Sequence, residues 1–332
     1  MNAHDRLFNW RTAFDHTVPL WITAAAGAML LLCPLILLAI QSRLRAETNT
    51  ELWARWKSWL VLALLMAGPV LLGAAWVFGA TLLLSLACCR EYVRATGLFR
   101  ERLIWWVLTL CIIVTFFAVI DHWYGFFMAL APLSIGVIAV AGIVRDHPDG
   151  YIQRVALGVF GYMLFGSALG HFAYFANDAA FRQILLLLIL SVEMNDVFGY
   201  LVGKPFGHRR LIPKTSPGKT VAGAFGSVIL TSALVVWVGE YVFAGTVMAG
   251  LSHRIGLGLI ISVVGILGDL MLSSIKRDLG IKDMGTTFPG HGGLLDRFDS
   301  LILVAPAAFH FIGYFNGIGL DQPVRILSGG AG

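Results

Sequence analysis

The chain has 332 residues, of which 58% are hydrophobic and only 13% charged, with a formal net charge of +5 and a mean hydropathy of +0.80. Soluble globular chains are nearer half apolar and a quarter charged, so this composition excludes an ordinary soluble enzyme and places the chain in the membrane class. No polar segment is long enough for a separate soluble domain, and no nucleic-acid partner is expected.

A bilayer-crossing helix needs roughly 20 mainly apolar residues. In chain order, runs of this kind fall at about 18–40, 57–74, 75–90, 102–120, 124–144, 153–175, 182–203, 220–238, 254–275 and 299–316. The 57–90 block reads as two short spans or one long tilted one. The expected fold is therefore an all-α polytopic bundle of about ten transmembrane helices, nine at the least. The first run is too long for a signal-peptide core and has no clean small-residue cleavage site after it, so it reads as a retained span. The four cysteines (Cys33, Cys88, Cys89, Cys111) lack metal-type spacing and read as packing residues. Residues 1–150 hold about five spans; residues 151–332 carry the polar loops 203–219 and 276–298, and with them the expected chemistry.

With ten spans the loops alternate sides, and lysine and arginine divide unequally between them. Arg43, Arg45, Arg55 and Lys57 fall on one side with Arg90, Arg94, Arg100, Arg102, Arg145 and Arg154. The same side holds Lys204, Arg209, Arg210, Lys214, Lys219, Lys276, Arg277, Lys282 and Arg297. Only Arg6, Arg11, Arg182, Arg254 and Arg325 fall on the other. The positive-inside rule makes the rich side cytoplasmic and places both termini outside. The expected location is the bacterial inner (cytoplasmic) membrane, with membrane lipids drawn to the basic rim.

Charges inside spans are costly and usually face the protein interior. The seventh span carries Glu193, Asn195 and Asp196, and the ninth carries Asp269 about two turns before its cytoplasmic end. Helical spacing puts Asp269, Ser273 and Lys276 on one face, and Asp296 and Asp299 share a face where the tenth span begins. His171 and His310 read as packing histidines, and Gly166 with Gly170 as a small-xxx-small helix contact.

Clustered aspartates suit a hard cation such as Mg2+, which keeps waters and phosphate oxygens in its shell. Lysine and arginine beside them suit phosphate. The turn "PGHGG" at 289–293 offers backbone N–H groups that can approach an anion closely. The second loop contains "GKT" at 218–220, but Pro213 stands where a P-loop needs glycine. Its better reading is Lys214, Ser216, Lys219 and Thr220 presenting donors as the eighth span begins, where the helix dipole also favours phosphate.

These residues carry a resemblance to the phosphatidate cytidylyltransferase family. The family pattern S-x-apolar-K-R-x4-K-D-x-small-x2-apolar-P-x-H-G-G-apolar-x-D-R-apolar-D is met from Ser273 through Lys276, Arg277, Lys282, Asp283, His291, Gly292, Gly293, Asp296 and Arg297 to Asp299. The upstream pattern N-D-x3-Y-x2-G, then P-K-x-S-P-x-K-T, is met by Asn195, Asp196, Tyr200 and Gly203, then Pro213, Lys214, Ser216, Pro217, Lys219 and Thr220. Two positions depart: Ala222 and Leu272 stand where family members commonly carry glutamate.

The resemblance implies transfer of the cytidylyl group of CTP to phosphatidic acid, giving CDP-diacylglycerol and pyrophosphate. It implies Mg2+, with a monovalent cation such as K+ as a further candidate, and a homodimer as a candidate assembly. On this reading Asp269, Asp296, Lys276, Lys282, Asp283 and His291 are the catalytic group. Lys214, Ser216, Lys219, Thr220, Ser273, Arg277, Gly292, Gly293, Arg297 and Asn195 hold the nucleotide. Asp269 and Asp296, with Asp283, Asp299 and Asp196, are the metal ligands. The alternatives are a CTP-dependent kinase or cytidylyltransferase acting on another lipid phosphate or a polyprenol, a catalytically silent relative, and an ion-coupled transporter.

Overall fold

The computed structural model describes residues 3–41, 46–144, 146–287 and 292–329. His291 lies outside the described residues, as do Arg43, Arg45 and Arg145. The helices are α1 (Ala3–Phe8), α2 (Thr17–Ile40), α3 (Ala46–Leu72), α4 (Ala74–Ala95), α5 (Arg102–Ile120) and α6 (Tyr124–Ile143). They continue with α7 (Tyr151–Gly161), α8 (Leu169–Tyr174), α9 (Phe181–Phe206), α10 (Val221–Val242), α11 (Leu251–Asp278) and α12 (Asp299–Asn316).

Among the described residues, nine helical segments are long and apolar enough to cross a membrane. The 57–90 block resolves into two full helices, α3 and α4. The helix α12, outside these nine, has 18 residues, about 27 Å at ~1.5 Å per residue, and packs along α11. The protein is thus an all-α polytopic membrane protein. Its outer surface is the lipid-facing side: Met29 is 74% and Leu31 72% exposed, which water would penalise and hydrocarbon does not.

Three local features hold the bundle. Tyr162–Ala168 is a π-helical insert joining α7 to α8. Such a bulge frees carbonyls that hydrocarbon cannot solvate, and the Ser85 hydroxyl donates to the Phe165 carbonyl at 2.6 Å. Helices α9 and α10 touch backbone to backbone: a Cβ on Gly223 would stand 2.6 Å from the Gly199 carbonyl oxygen. Gly170 packs directly on Phe127, 3.0 Å from where its Cβ would be, in line with the small-residue reading. His171 sits in an aromatic cluster with Phe127, Phe309 and His310, and Cys88, Cys89 and Cys111 are buried, free thiols.

The face away from the site is knitted by buried polar contacts. Arg6 donates to the Asn177 carbonyl at 2.6 Å and Arg182 to the Asn9 carbonyl at 2.7 Å. The Asp121 carboxylate accepts from Leu327 and Ser328, and Gly319 N–H donates to Asp178. Both ends of the described chain therefore lie on this face. Three of its five arginines, Arg6, Arg182 and Arg254, are buried, so they serve packing and leave few free cations there.

Candidate functional site

The opposite face gathers the ends of α4, α9 and α11 with the start of α10 and α12. Between α9 and α10 the chain makes a small antiparallel hairpin, β1 (Arg210–Ile212) with β2 (Ser216–Thr220), where the sequence predicts only a loop. The Val221 N–H to Arg209 carbonyl bond (2.9 Å) ties the hairpin to α10. From α11, the Arg277 Nε donates to the Thr215 carbonyl at 3.2 Å, which fixes the hairpin tip. Lys214 at that tip points into solvent.

The acids form two groups. In the first, Asp269 from α11 receives the Lys219 ammonium as an ion pair and the Ser273 hydroxyl at 3.1 Å. Asp196 from α9 has Lys219, Asp269 and Arg297 as its charged neighbours. Asp299, buried at the start of α12, has Asp269, Asp196 and Lys276. Three helices thus bring three carboxylates together, and Lys276 of α11, Lys219 of β2 and Arg297 just before α12 set three cationic side chains beside them. The Nε of Arg297 is buried without a partner, although it lies beside Glu193 and Asp196. Asp196 is exposed, which opens the group to the outside.

The second group is the loop after α11. Asp296 accepts from the Lys276 ammonium at 2.8 Å through Oδ1, and from the N–H groups of Met284 and Gly293, each at 2.8 Å, through Oδ2. Gly292 has φ +81°, a left-handed value that L side chains rarely adopt, and a Cβ there would stand 2.9 Å from Asp296 Oδ2 and 3.1 Å from Asp283 Oδ1. Any other residue would be strained at this place, where the Asp283 and Asp296 carboxylates both lie close to the glycine.

The residues expected at the site take the following places. Asp296, expected as a principal metal ligand, accepts from Lys276 of α11 through one oxygen and from two loop N–H groups through the other. Asn195, expected at the nucleotide, is buried and spends its amide on Ser262 O and the Thr231 hydroxyl, joining α9, α10 and α11. The Thr220 hydroxyl caps α10 by accepting from Gly223 N–H at 3.1 Å, as N-cap threonines do, and is walled in beside Gly203 and Gly207. Ser273 donates to Asp269 rather than facing outward. Lys282 and Asp283 are exposed. Among the described residues no three His, Cys, Asp or Glu side chains converge on one metal-binding point. Leu272, at a position where the family commonly has glutamate, is 1% exposed and part of the apolar core.

One residue that holds the glycine-rich loop has no signal in the sequence. Glu91, in the last turns of α4, accepts from the Thr287 hydroxyl (2.6 Å) and from the N–H groups of Leu294 (3.0 Å) and Leu295 (2.8 Å). It thereby clamps both flanks of the glycine-rich loop. An isolated glutamate between Arg90 and Arg94 looks like any charged span end, and the loop it holds is about 200 residues away.

A family model described as the cytidylyltransferase family matches residues 53–315 of this chain. The chain is 32% identical to the uncharacterized protein YnbB of Escherichia coli (strain K12) over 300 residues, 88% of this chain and 97% of that protein. It is 42% identical to a phosphatidate cytidylyltransferase of Aquifex aeolicus over 125 residues, 38% of this chain and 45% of that protein. It is 34% identical to one of Staphylococcus epidermidis over 178 residues, 52% and 66% respectively. The matches to these two phosphatidate cytidylyltransferases cover less than two thirds of their length.

Proposed function

Since the chain belongs to the cytidylyltransferase family, and is with it a membrane-embedded nucleotidyltransferase, we propose that it transfers the cytidylyl group of CTP to phosphatidic acid. The observation that carries this reading is the meeting of Asp196, Asp269 and Asp299 with Lys219, Lys276 and Arg297 where α9, α11 and α12 converge. In the proposed reaction a phosphatidate oxygen bonds to the α-phosphorus of CTP, the bond from that phosphorus to the β-phosphate oxygen breaks, and pyrophosphate leaves. Such transfers depend on alignment and charge neutralisation more than on covalent chemistry by the protein.

The chain's own residues divide the work. Lys219 rests on Asp269, and an arriving triphosphate gives its ammonium a second anion to bind. The unpartnered Arg297 Nε offers a charge-assisted donor to a phosphate oxygen. Lys276, bonded to Asp296, links the acid group to the loop, so a phosphate drawn to one is aligned by the other. Glu91 holds the two flanks of the loop together.

The donor chemistry fits Mg2+: all three clustered acids are hard oxygen donors, and the Lys219 ammonium already occupies a cation's place on Asp269. Asp269 would hold the ion, with Asp196 and Asp299 as its acidic neighbours, and the ion would neutralise charge on the phosphates. We place the site on the cytoplasmic side of the inner membrane, where CTP is available. Both termini are then outside, in keeping with the basic site face.

Product analysis tests the reading: CTP, phosphatidic acid and Mg2+ should give pyrophosphate and a cytidine-containing lipid. CDP release with a phosphorylated lipid would identify a kinase instead, and no lipid-dependent turnover would reject both.

A further inference from the structure

On the face opposite the acid group lies a cavity of about 700 Å3, within the ~300–1,000 Å3 range of small-ligand sites. Trp123, Tyr124, Phe309 and Tyr314 give it aromatic walls, from α12 and the start of α6. Its rim opens to the bilayer: Tyr314 is 83% and Leu320 81% exposed. Tryptophan and tyrosine gathered at one end of a bundle mark the headgroup level.

His122 and His310 line this cavity together with two groups that can donate, Tyr174 and Arg325. Tyr174 lines it, is 1% exposed, and its hydroxyl is buried without a partner. Behind Tyr174 lies Arg6, fully buried, with Nε and Nη2 unpartnered. Arg325 also lines the cavity, stacked 4.7 Å over the Trp123 ring, with its Nε given to Ser328. The neighbouring acids have their oxygens bonded, Asp121 to Leu327 and Ser328 and Asp178 to the N–H groups of Ala180 and Gly319, and their charges lie beside Arg325 and Arg6 respectively. A ligand that satisfies the Tyr174 hydroxyl must bring an acceptor oxygen, and one that fits the walls must be apolar over most of its length.

We propose that this cavity is a phospholipid site for the leaflet opposite the nucleotidyl site, with an acyl chain against the aromatic walls and the phosphodiester against Arg325 and the Tyr174 hydroxyl. The occupant is a membrane lipid rather than a soluble anion, because the rim faces hydrocarbon and the walls are aromatic.

The full-length protein in detergent micelles is titrated with dioleoylphosphatidylglycerol, and retained lipid is counted by native mass spectrometry. Dioleoylglycerol and inorganic phosphate are the competitors. The expected result is one tightly retained phospholipid that neither competitor displaces. Retention should be weakened about tenfold in Arg325→Gln, the scale of one lost charge-assisted bond, weakened less in Tyr174→Phe, and lost in Gly313→Leu, which fills the cavity from its wall. Thermal unfolding checks that each variant folds; should Gly313→Leu fail, the other two carry the test. Equal retention by all variants would overturn the proposal. So would competition by dioleoylglycerol or phosphate alone, or a change in monomer–dimer mass in place of a change in lipid. The readout is binding alone, so it stands apart from the fate of the nucleotidyl-transfer reading.

Discussion

Replacing Glu91 by glutamine alters no volume and touches no substrate, yet it should slow the enzyme strongly. The carboxylate receives one hydroxyl and two backbone N–H groups from Thr287, Leu294 and Leu295. The loop also wraps it tightly: a Cβ on Gly285 would lie 2.7 Å from Oε1 and one on Gly293 2.5 Å from Oε2. Either orientation of a glutamine amide turns its NH2 toward at least one of these donors. Leaving a buried N–H unpaired costs about 1–3 kcal/mol, roughly 5- to 150-fold if turnover requires the loop in place. Because the same loop supplies the Gly293 and Met284 N–H groups to Asp296, the strain passes directly to the Lys276–Asp296 pair. Pyrophosphate release should show kcat/KM for CTP falling by that factor, while the melting temperature moves little, since the damage is local. Activity in Glu91→Gln within twofold of the wild type would refute the clamp.

Asp269→Asn should lower turnover at least a hundredfold and leave Lys219 without its partner, read by initial rates with CTP and phosphatidic acid. Gly223→Ala drives a methyl toward the Gly199 carbonyl at 2.6 Å and should cost about 1–3 kcal/mol as overpacking, seen as a lower midpoint on thermal unfolding. The Asp121 carboxyl would be raised by burial alone, but bonds from Ser328 and Leu327 and the nearby Arg325 hold it below its ordinary value. A depressed carboxyl stabilises above its unfolded pKa, about 3.9, and that contribution is lost as pH falls through the folded value. Hydrogen exchange at Leu327 and Ser328 should therefore be insensitive to this group near neutrality and show loosening only below about pH 4, and Asp121→Asn should loosen them at every pH.

The spans were legible because period and hydrophobicity act locally: α2 through α12 fall where the apolar runs predict. The carboxylates Asp196, Asp269 and Asp299 were legible because charge within an apolar helix needs a partner. What stayed hidden depends on long-range contact. The engagement of Asp296 with loop N–H groups, the diversion of Asn195 into helix packing and the Glu91 clamp each join residues far apart in the chain. The hairpin before α10 was hidden by its brevity, since "RLIPKTSPGKT" holds too few alternating apolar residues to signal strands.

The most direct test is transfer of label from CTP carrying 32P at the α-phosphate into lipid by the reconstituted full-length protein, with phosphatidic acid and Mg2+, beside Asp269→Asn. The account predicts label in a cytidine-containing phospholipid, dependent on phosphatidic acid and lost in the variant. Label that stays in water-soluble nucleotide with the wild type, or enters lipid equally with Asp269→Asn, would contradict it.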